Sequence, residues 1–175
     1  MNTLAWLFRS DNQLDAAEDA AFRAINFLPE TGQQYRVCES HTVLGWIYRS
    51  KGETKKVIHH FEVALEIAST FNWHVPLCSA HYGLTWVFLK QDRLNDAQAH
   101  VELAKSHAVD GAYYLGLVTE LQARVWCRQR RLEEARTEAL RAVDIYDKLG
   151  ASMDAKRCKE LLDTIELGLN LCELL

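Results

Sequence analysis

Apolar side chains recur along this chain at intervals of three and four residues, the spacing that places them on one face of an α-helix. Two such stripes follow one another: Leu44, Ile47 and Tyr48, and then Val57, Phe61, Ala64, Leu65 and Ala68. Gly52 lies between them, and glycine readily adopts the left-handed conformation that ends a helix. The pattern therefore predicts two helices joined by a short turn.

This two-helix pattern repeats along the chain. Similar segments begin at Leu4, Leu44, Leu84 and Gln122, and the last interval is slightly shorter than the two before it. The first three copies carry Trp6, Trp46 and Trp86, and Arg124 takes that position in the fourth. An aromatic residue follows two positions later, as Phe8, Tyr48, Phe88 and Trp126. A regular period of this kind predicts an array of helical hairpins.

Two further positions support the hairpins. One is always small, occupied by Ala5, Gly45, Thr85 and Ala123, and small residues let two helices approach closely. The other is the turn, where Gly52 corresponds to Asn12 and Asp92, residue types that tolerate a left-handed backbone. Arg130 holds this position in the fourth unit, whose turn is therefore the least well specified.

The order of small residue, aromatic residue, turn glycine and small second-helix residue resembles the tetratricopeptide repeat (TPR). The resemblance covers about residues 4–149, and Leu28-Pro29 supplies once the proline that often ends this repeat. The units are longer than the family's usual length of about 34 residues. Units of this kind also resemble the TPR tails of fungal signalling ATPases with NACHT or NB-ARC domains (STAND proteins).

The predicted fold is an all-α solenoid of antiparallel hairpins, forming a single domain over 1–175. Its units span about 1–30, 33–70, 75–109 and 112–149, and a capping helix spans about 152–174. One apolar stripe on that last helix consists of Cys158, Leu161, Leu162, Ile165, Leu169 and Cys172, although the segment shows no match to the repeat. The first unit is short, so either the chain is a piece of a longer protein or its exposed solenoid ends meet other copies of it.

Composition narrows the possible partners. The 175 residues include only 8 glycines and 2 prolines, too few for the many turns of a sandwich or barrel. A net charge of -4 supplies no cationic field for DNA, and no apolar run approaches the ~18 residues of a membrane span. The five cysteines are widely spaced and odd in number. We therefore expect a cytoplasmic protein with reduced thiols.

The first helices of a TPR-like array line its concave side, which predicts where a partner binds. By this resemblance the groove is aromatic and basic, with ten residues facing it: Trp6, Arg9, Thr42, Trp46, Arg49, Tyr82, Trp86, Lys90, Arg124 and Arg128. Trp, Tyr and Arg dominate protein-binding hot spots, and guanidinium groups hold carboxylates. The alternative is that the tryptophans simply pack between helices as core.

No motif indicates catalysis. The chain lacks the phosphate-binding GxxxxGK[ST], the zinc-binding HExxH and the nucleophile motif GxSxG. Cys38/His41 and Cys78/His81 have the i, i+3 spacing of metal ligands, but the repeat itself accounts for the separation of the two pairs, which favours buried packing. The arginines of the fourth unit are interspersed with glutamates, which favours a solvated helix over an RNA-binding patch. We expect no cofactor and no bound metal.

The sequence thus predicts a non-enzymatic scaffold that binds a protein or a peptide, with acidic and apolar side chains, on its concave face. The alternative function is that of the ligand-sensing arm of a STAND-type ATPase. That alternative predicts a phosphate-binding loop upstream of Met1.

Overall fold

The structure is a computed structural model, and it describes residues 11–27 and 33–167. These residues form eight α-helices and one 3-10 turn, with no strand among them. The helices are α1 (Asp11–Phe27), α2 (Gln34–Lys51), α3 (Thr54–Phe71), α4 (His74–Lys90), α5 (Leu94–His107), α6 (Ala112–Arg128), α7 (Leu132–Lys148) and α8 (Ser152–Glu166), and the 3-10 turn is Ala108–Asp110. The predicted all-α class is confirmed for this part of the chain. None of the described helices is long and apolar enough to cross a lipid bilayer.

Consecutive helices pack against each other within two compact units. Met1–Leu84 holds α1 to α3 and the first part of α4, whereas Thr85–Leu175 holds the rest of α4 and α5 to α8. In the first unit α1 packs on α2 and α2 on α3; in the second, α5 packs on α6, α6 on α7 and α7 on α8. This packing is compatible with a helical repeat. A TPR-type solenoid, and a single domain over 1–175, remain predictions.

The turns inside the hairpins use the predicted left-handed residues. Gly52, Asp92 and Arg130 have φ values of 74°, 58° and 62°. The amide of the next residue then donates to a carbonyl five residues back, as from Glu53 to Tyr48 at 2.9 Å, which is a Schellman closure. The Gly52 and Asp92 turns are confirmed, and Arg130 adopts the same conformation without a favourable residue type. The turn predicted at Asn12 is wrong, because Asn12 lies within α1, where its helical neighbours extend the helix across it.

A cation covers the aromatic residue near the end of three described helices, α2, α4 and α6. Lys56 lies 4.5 Å from the ring centre of Tyr48, Arg93 4.4 Å from Phe88 and Arg131 5.0 Å from Trp126. Each cation is also half of an i, i+3 ion pair, formed by Glu53–Lys56, Arg93–Asp96 and Arg131–Glu134. The order of acid and base is reversed in the first of these pairs, yet the cation still faces the ring. We call each set of ring, cation and acid a turn clasp.

The core of the first unit is built around Phe61 on α3. Its ring is fully buried, and it lies against the backbone of Gly45 on α2 and Gly83 on α4. A β-carbon at Gly45 would fall 2.7 Å from the ring, and one at Gly83 would fall 2.3 Å from it. The small position at Gly45 therefore permits the close approach that the sequence predicts, and Gly83 contributes in the same way.

The second unit has its own close contacts and an additional repeated helix. The small residues Thr85 and Ala123 are fully buried. Helix α8 follows α6 at the same interval, from start to start, as α4 follows α2. Its buried Leu162 and Ile165 occupy the positions, relative to the helix start, of Leu44 and Ile47.

Helix α8 thus begins at the same interval as the earlier helices, and its role as a capping helix stays a prediction. Its sequence departs from the repeat, because Asp163, Thr164 and Glu166 stand where the repeat has a small residue, tryptophan and a second aromatic residue. The remaining residues of the predicted capping helix, 168–174, lie outside the described residues.

Candidate functional site

The ten predicted groove residues fall into three groups. Trp6 and Arg9 lie outside the described residues. Thr42, Trp46, Arg49 and Tyr82 belong to the first unit, whereas Trp86, Lys90, Arg124 and Arg128 belong to the second. The two described groups differ in how accessible their rings and cations are.

Trp46 forms the centre of an aromatic cluster in the first unit. Its ring meets the buried Phe61 edge-on, with 5.1 Å between ring centres, and lies 5.8 Å from the ring of Tyr82. The guanidinium carbon of Arg49 is 5.5 Å from the centre of the same indole. Trp46 and Tyr82 are half-buried and Arg49 is exposed. The core thus holds the indole in place while part of it stays accessible, and we call Trp46, Arg49 and Tyr82 the Trp46 patch.

Arg49 keeps its positive charge in the Trp46 patch. Thr42 does not belong to this patch. Desolvation against the aromatic cluster lowers the pKa of Arg49, and the Tyr82 hydroxyl opposes that effect. A guanidinium pKa begins above about 12, so Arg49 remains a cation at neutral pH. Thr42 is buried, and its hydroxyl donates to the carbonyl of Cys38, one helical turn back, at 3.1 Å. Its hydrogen-bonding capacity is therefore used within α2.

In the second unit the equivalent pairing of indole and cation is formed inside the protein. The guanidinium carbon of Arg124 lies 5.5 Å from the ring centre of Trp86, which is half-buried. Arg124 itself is only 7% exposed and donates to a carboxylate oxygen of Glu120 at 2.9 Å. Its charge is therefore already neutralised by an internal partner.

Glu120 is the buried centre of a network that joins three helices. Besides Arg124 on its own helix, Arg157 on α8 donates to it at 2.8 Å and Tyr146 on α7 donates at 3.3 Å. Burial alone would raise the pKa of Glu120, but the Arg157 hydrogen bond and the two guanidinium charges outweigh it and hold the pKa below its usual range. The bond to Glu120 is also the main reason why the pKa of Arg157 is raised. The network fixes α8 against α6 and α7.

The two remaining predicted groove cations of the second unit, Arg128 and Lys90, are arranged differently from each other. Arg128 is half-buried, and it donates to the carboxylate of Asp92 at 2.8 Å and to the carbonyl of Leu89 at 3.3 Å. Lys90 is exposed, and no ion pair to it is seen within the described part of the chain. Leu89 and Cys127, which stand where the second repeat has Arg49, are both buried. Among the described residues of the predicted groove, the accessible combination of ring and cation is therefore the Trp46 patch.

The two cysteine–histidine pairs belong to the interior. Cys38 and Cys78 are buried, and the Cys38 thiol donates to the carbonyl of Ala64 at 3.3 Å. Burial raises the pKa of Cys38 to about 11 and that of Cys78 to about 12, so both are neutral thiols at pH 7. Among the described residues no group of three histidine, cysteine or acidic side chains is placed to hold a metal ion.

Sequence reasoning missed the groups that hold these residues in place. Phe61, which supports Trp46, was evident as an apolar residue, but its partner is set by packing between helices. Arg157, the cation that reaches Glu120, is remote from it in sequence, and no local spacing signals such a pair.

No protein-family model matches this chain, and no curated protein is similar enough to count as a match.

Proposed function

We propose that this protein is a non-enzymatic scaffold of the TPR-like kind, which binds a peptide or a partner domain through the Trp46 patch. The regular spacing of its helical hairpins supports the comparison with that repeat. The observation that carries the proposal is the geometry at Trp46, where a half-buried indole is held between Phe61 and Tyr82 with the Arg49 guanidinium above it. The buried free thiols support a cytoplasmic location.

A surface of this kind suits a ligand with an apolar side chain beside an acidic one. An indole ring held by a packed core offers a large rigid surface at little cost in conformational entropy. The adjacent guanidinium can donate two parallel hydrogen bonds to a carboxylate. Arg49 is exposed beside its indole, whereas Arg124 is buried and Arg128 is half-buried, so the acidic part of the ligand is expected at Arg49.

The proposal is tested by selecting ligands against the intact chain. A phage-displayed library of random peptides is panned on the immobilised protein, and the affinity of the recovered peptides is measured by fluorescence polarisation. Trp46→Ala and Arg49→Glu should each weaken binding by about 30-fold or more, because truncating a hot spot costs roughly 2 kcal/mol. The recovered sequences should pair an apolar or aromatic residue with Asp or Glu.

Matched controls separate binding from folding. Leu140→Ala removes an exposed apolar side chain from α7 and should leave the affinity unchanged. Trp46→Phe should keep the fold and part of the affinity. If peptides bind equally well to the wild type and to a folded Trp46→Ala variant, the Trp46 patch is not the binding site.

A further inference from the structure

Two histidines meet nitrogen to nitrogen in the first unit. The Nδ1 atoms of His41 on α2 and His60 on α3 are 3.0 Å apart, which is a hydrogen-bond distance. One of the two nitrogens must carry the proton and the other must accept it. If both Nδ1 atoms were protonated, two N–H groups would face each other across this gap. The contact therefore depends on at least one ring being neutral.

The pair lies directly beneath the attachment of α1. The His60 ring stacks on Tyr48, with 5.3 Å between ring centres and an angle of 11°, and the Phe22 ring of α1 approaches it edge-on at 6.2 Å. The Tyr48 hydroxyl in turn donates to Glu18 of α1. Lys51 also donates to Glu18, and to Asp15 at 2.6 Å. Several contacts that hold α1 therefore involve His60 or the ring stacked on it.

Charged groups of both signs surround the pair. Those that act on its two rings are Glu18 from α1 and Lys56 and His59 from α3, and Tyr48 of α2 stacks on His60. Lys51 pairs with Glu18 and with Asp15, and Glu53 pairs with Lys56. Glu18 is the carboxylate that favours an imidazolium at His60, and it is shared with two other donors, Tyr48 and Lys51. An added proton would bring a further positive charge close to Lys56 in a buried site.

We propose that the His41–His60 pair makes the docking of α1 onto α2 and α3 sensitive to pH, so that proton uptake by the pair releases α1. His60 is 6% exposed, so a charge on it is poorly hydrated while α1 is docked. Opening the α1 contact removes the Phe22 ring from His60 and gives the imidazole access to water, while His41, His59 and Lys56 stay in place. The open form therefore binds protons more readily than the docked form.

The direction of the pH effect follows from this difference. Burial, His41, His59 and Lys56 lower the pKa of His60 to about 4, and burial and His59 lower the pKa of His41. A free histidine has a pKa of about 6.5. The neutral pair therefore stabilises docking fully above about pH 6.5, and this contribution is lost as the pH falls toward 4. In that interval the opening equilibrium should rise up to about tenfold per pH unit for each proton taken up.

Hydrogen–deuterium exchange on the full chain, corrected for intrinsic exchange rates, tests the proposal between about pH 7.5 and 4.5. Amides of α1 should lose at least about tenfold of their protection, while those of α3 and α7 keep theirs. His60→Phe preserves an aromatic ring on Tyr48 but cannot titrate, so its α1 protection should be nearly independent of pH. His100→Phe on α5 is the matched control, because His100 lies 5.1 Å from Phe88 one repeat later. It should behave as the wild type does.

The proposal is overturned if α1 and α3 lose protection together, if α1 protection does not change with pH, or if His60→Phe keeps the wild-type dependence. If circular dichroism near neutral pH shows that His60→Phe does not fold, His41→Gln decides the matter. That variant should lower the pH dependence of α1 opening by about one proton, and an unchanged slope would reject the histidine pair as the cause.

Discussion

The ring of Phe61 lies against the backbone of Gly83, so closely that a β-carbon there would come within 2.3 Å of two ring carbons. Substituting alanine should therefore strain the first unit. We expect Gly83→Ala to lower the free energy of unfolding by about 1–3 kcal/mol, because the overpacking exceeds the helix-propensity gain of about 1 kcal/mol. Urea denaturation followed by circular dichroism measures the change.

A double variant tests whether the Phe61 ring and a methyl group at position 83 compete for the same space. Gly83→Ala combined with Phe61→Leu should be less destabilised than the sum of the two single variants, since leucine vacates the space that the methyl group needs. Gly111→Ala is the control, because its β-carbon would lie 3.4 Å from Tyr114, an acceptable contact. Additive effects at positions 61 and 83 would mean that the two residues do not compete for space.

Removing the charge of Glu120 should lower the free energy of unfolding substantially. Glu120→Gln leaves Arg124 and Arg157 without their shared carboxylate in a largely buried site, and breaking such a pair typically costs about 3–5 kcal/mol. The exposed pair Arg136–Glu166 provides the control, and Glu166→Gln should change the free energy of unfolding by less than about 1 kcal/mol. Equal losses for the two variants would show that the Glu120 network contributes no more than a surface ion pair.

The same network should make the second unit sensitive to acid. The pKa of Glu120 is lower in the folded protein than the value of about 4.3 in an unfolded chain. Its contribution to stability is therefore fully present above that value and is lost as the pH falls through the folded pKa. The slope of the unfolding free energy below about pH 4.5 should be shallower in Glu120→Gln than in the wild type. A slope that Glu120→Gln leaves unchanged would assign the acid sensitivity to other groups.

Replacing the non-glycine residues of the hairpin turns should stabilise the protein. Asp92 and Arg130 hold φ values of 58° and 62°, which cost an L-residue about 1 kcal/mol. Arg130→Gly should therefore raise the free energy of unfolding by several tenths of a kcal/mol to about 1 kcal/mol, after the entropy of the freer unfolded chain is subtracted. Glu62→Gly, in the middle of α3, should instead lower it by about 1 kcal/mol. Thermal unfolding of the two variants gives the comparison, and a loss of stability at Arg130→Gly would contradict it.

The turn clasps predict that the acid and the base of a clasp can exchange positions with little loss of thermal stability. Arg131→Glu alone should destabilise the fourth hairpin by about 0.5–1 kcal/mol, because it removes the cation from Trp126 and places two acids together. Adding Glu134→Lys recreates the order of the Glu53–Lys56 pair, in which the lysine covers the ring. The double variant should recover most of the lost thermal stability. Failure to recover would show that the arginine plane, and not the positive charge, is what the indole requires.

Local features of the fold could be predicted from the sequence, and contacts between distant residues could not. The helical stripes and the left-handed turns at Gly52 and Asp92 depend on neighbouring residues, so the spacing revealed them. The roles of Arg124 and Arg128 depend on Glu120 and Asp92, and a basic residue in a repeated column does not disclose whether an internal acid already binds it. The meeting of His41 with His60 likewise required the packing of α2 on α3.

The turn clasps also bear on how the chain acquires its shape. Each of the three lies within a short run of residues, 48–56, 88–96 and 126–134. Contacts this local close small loops, and proteins rich in them fold in microseconds to milliseconds. Each hairpin can thus form around its own clasp during synthesis, leaving only the association of finished hairpins to depend on remote parts of the polypeptide.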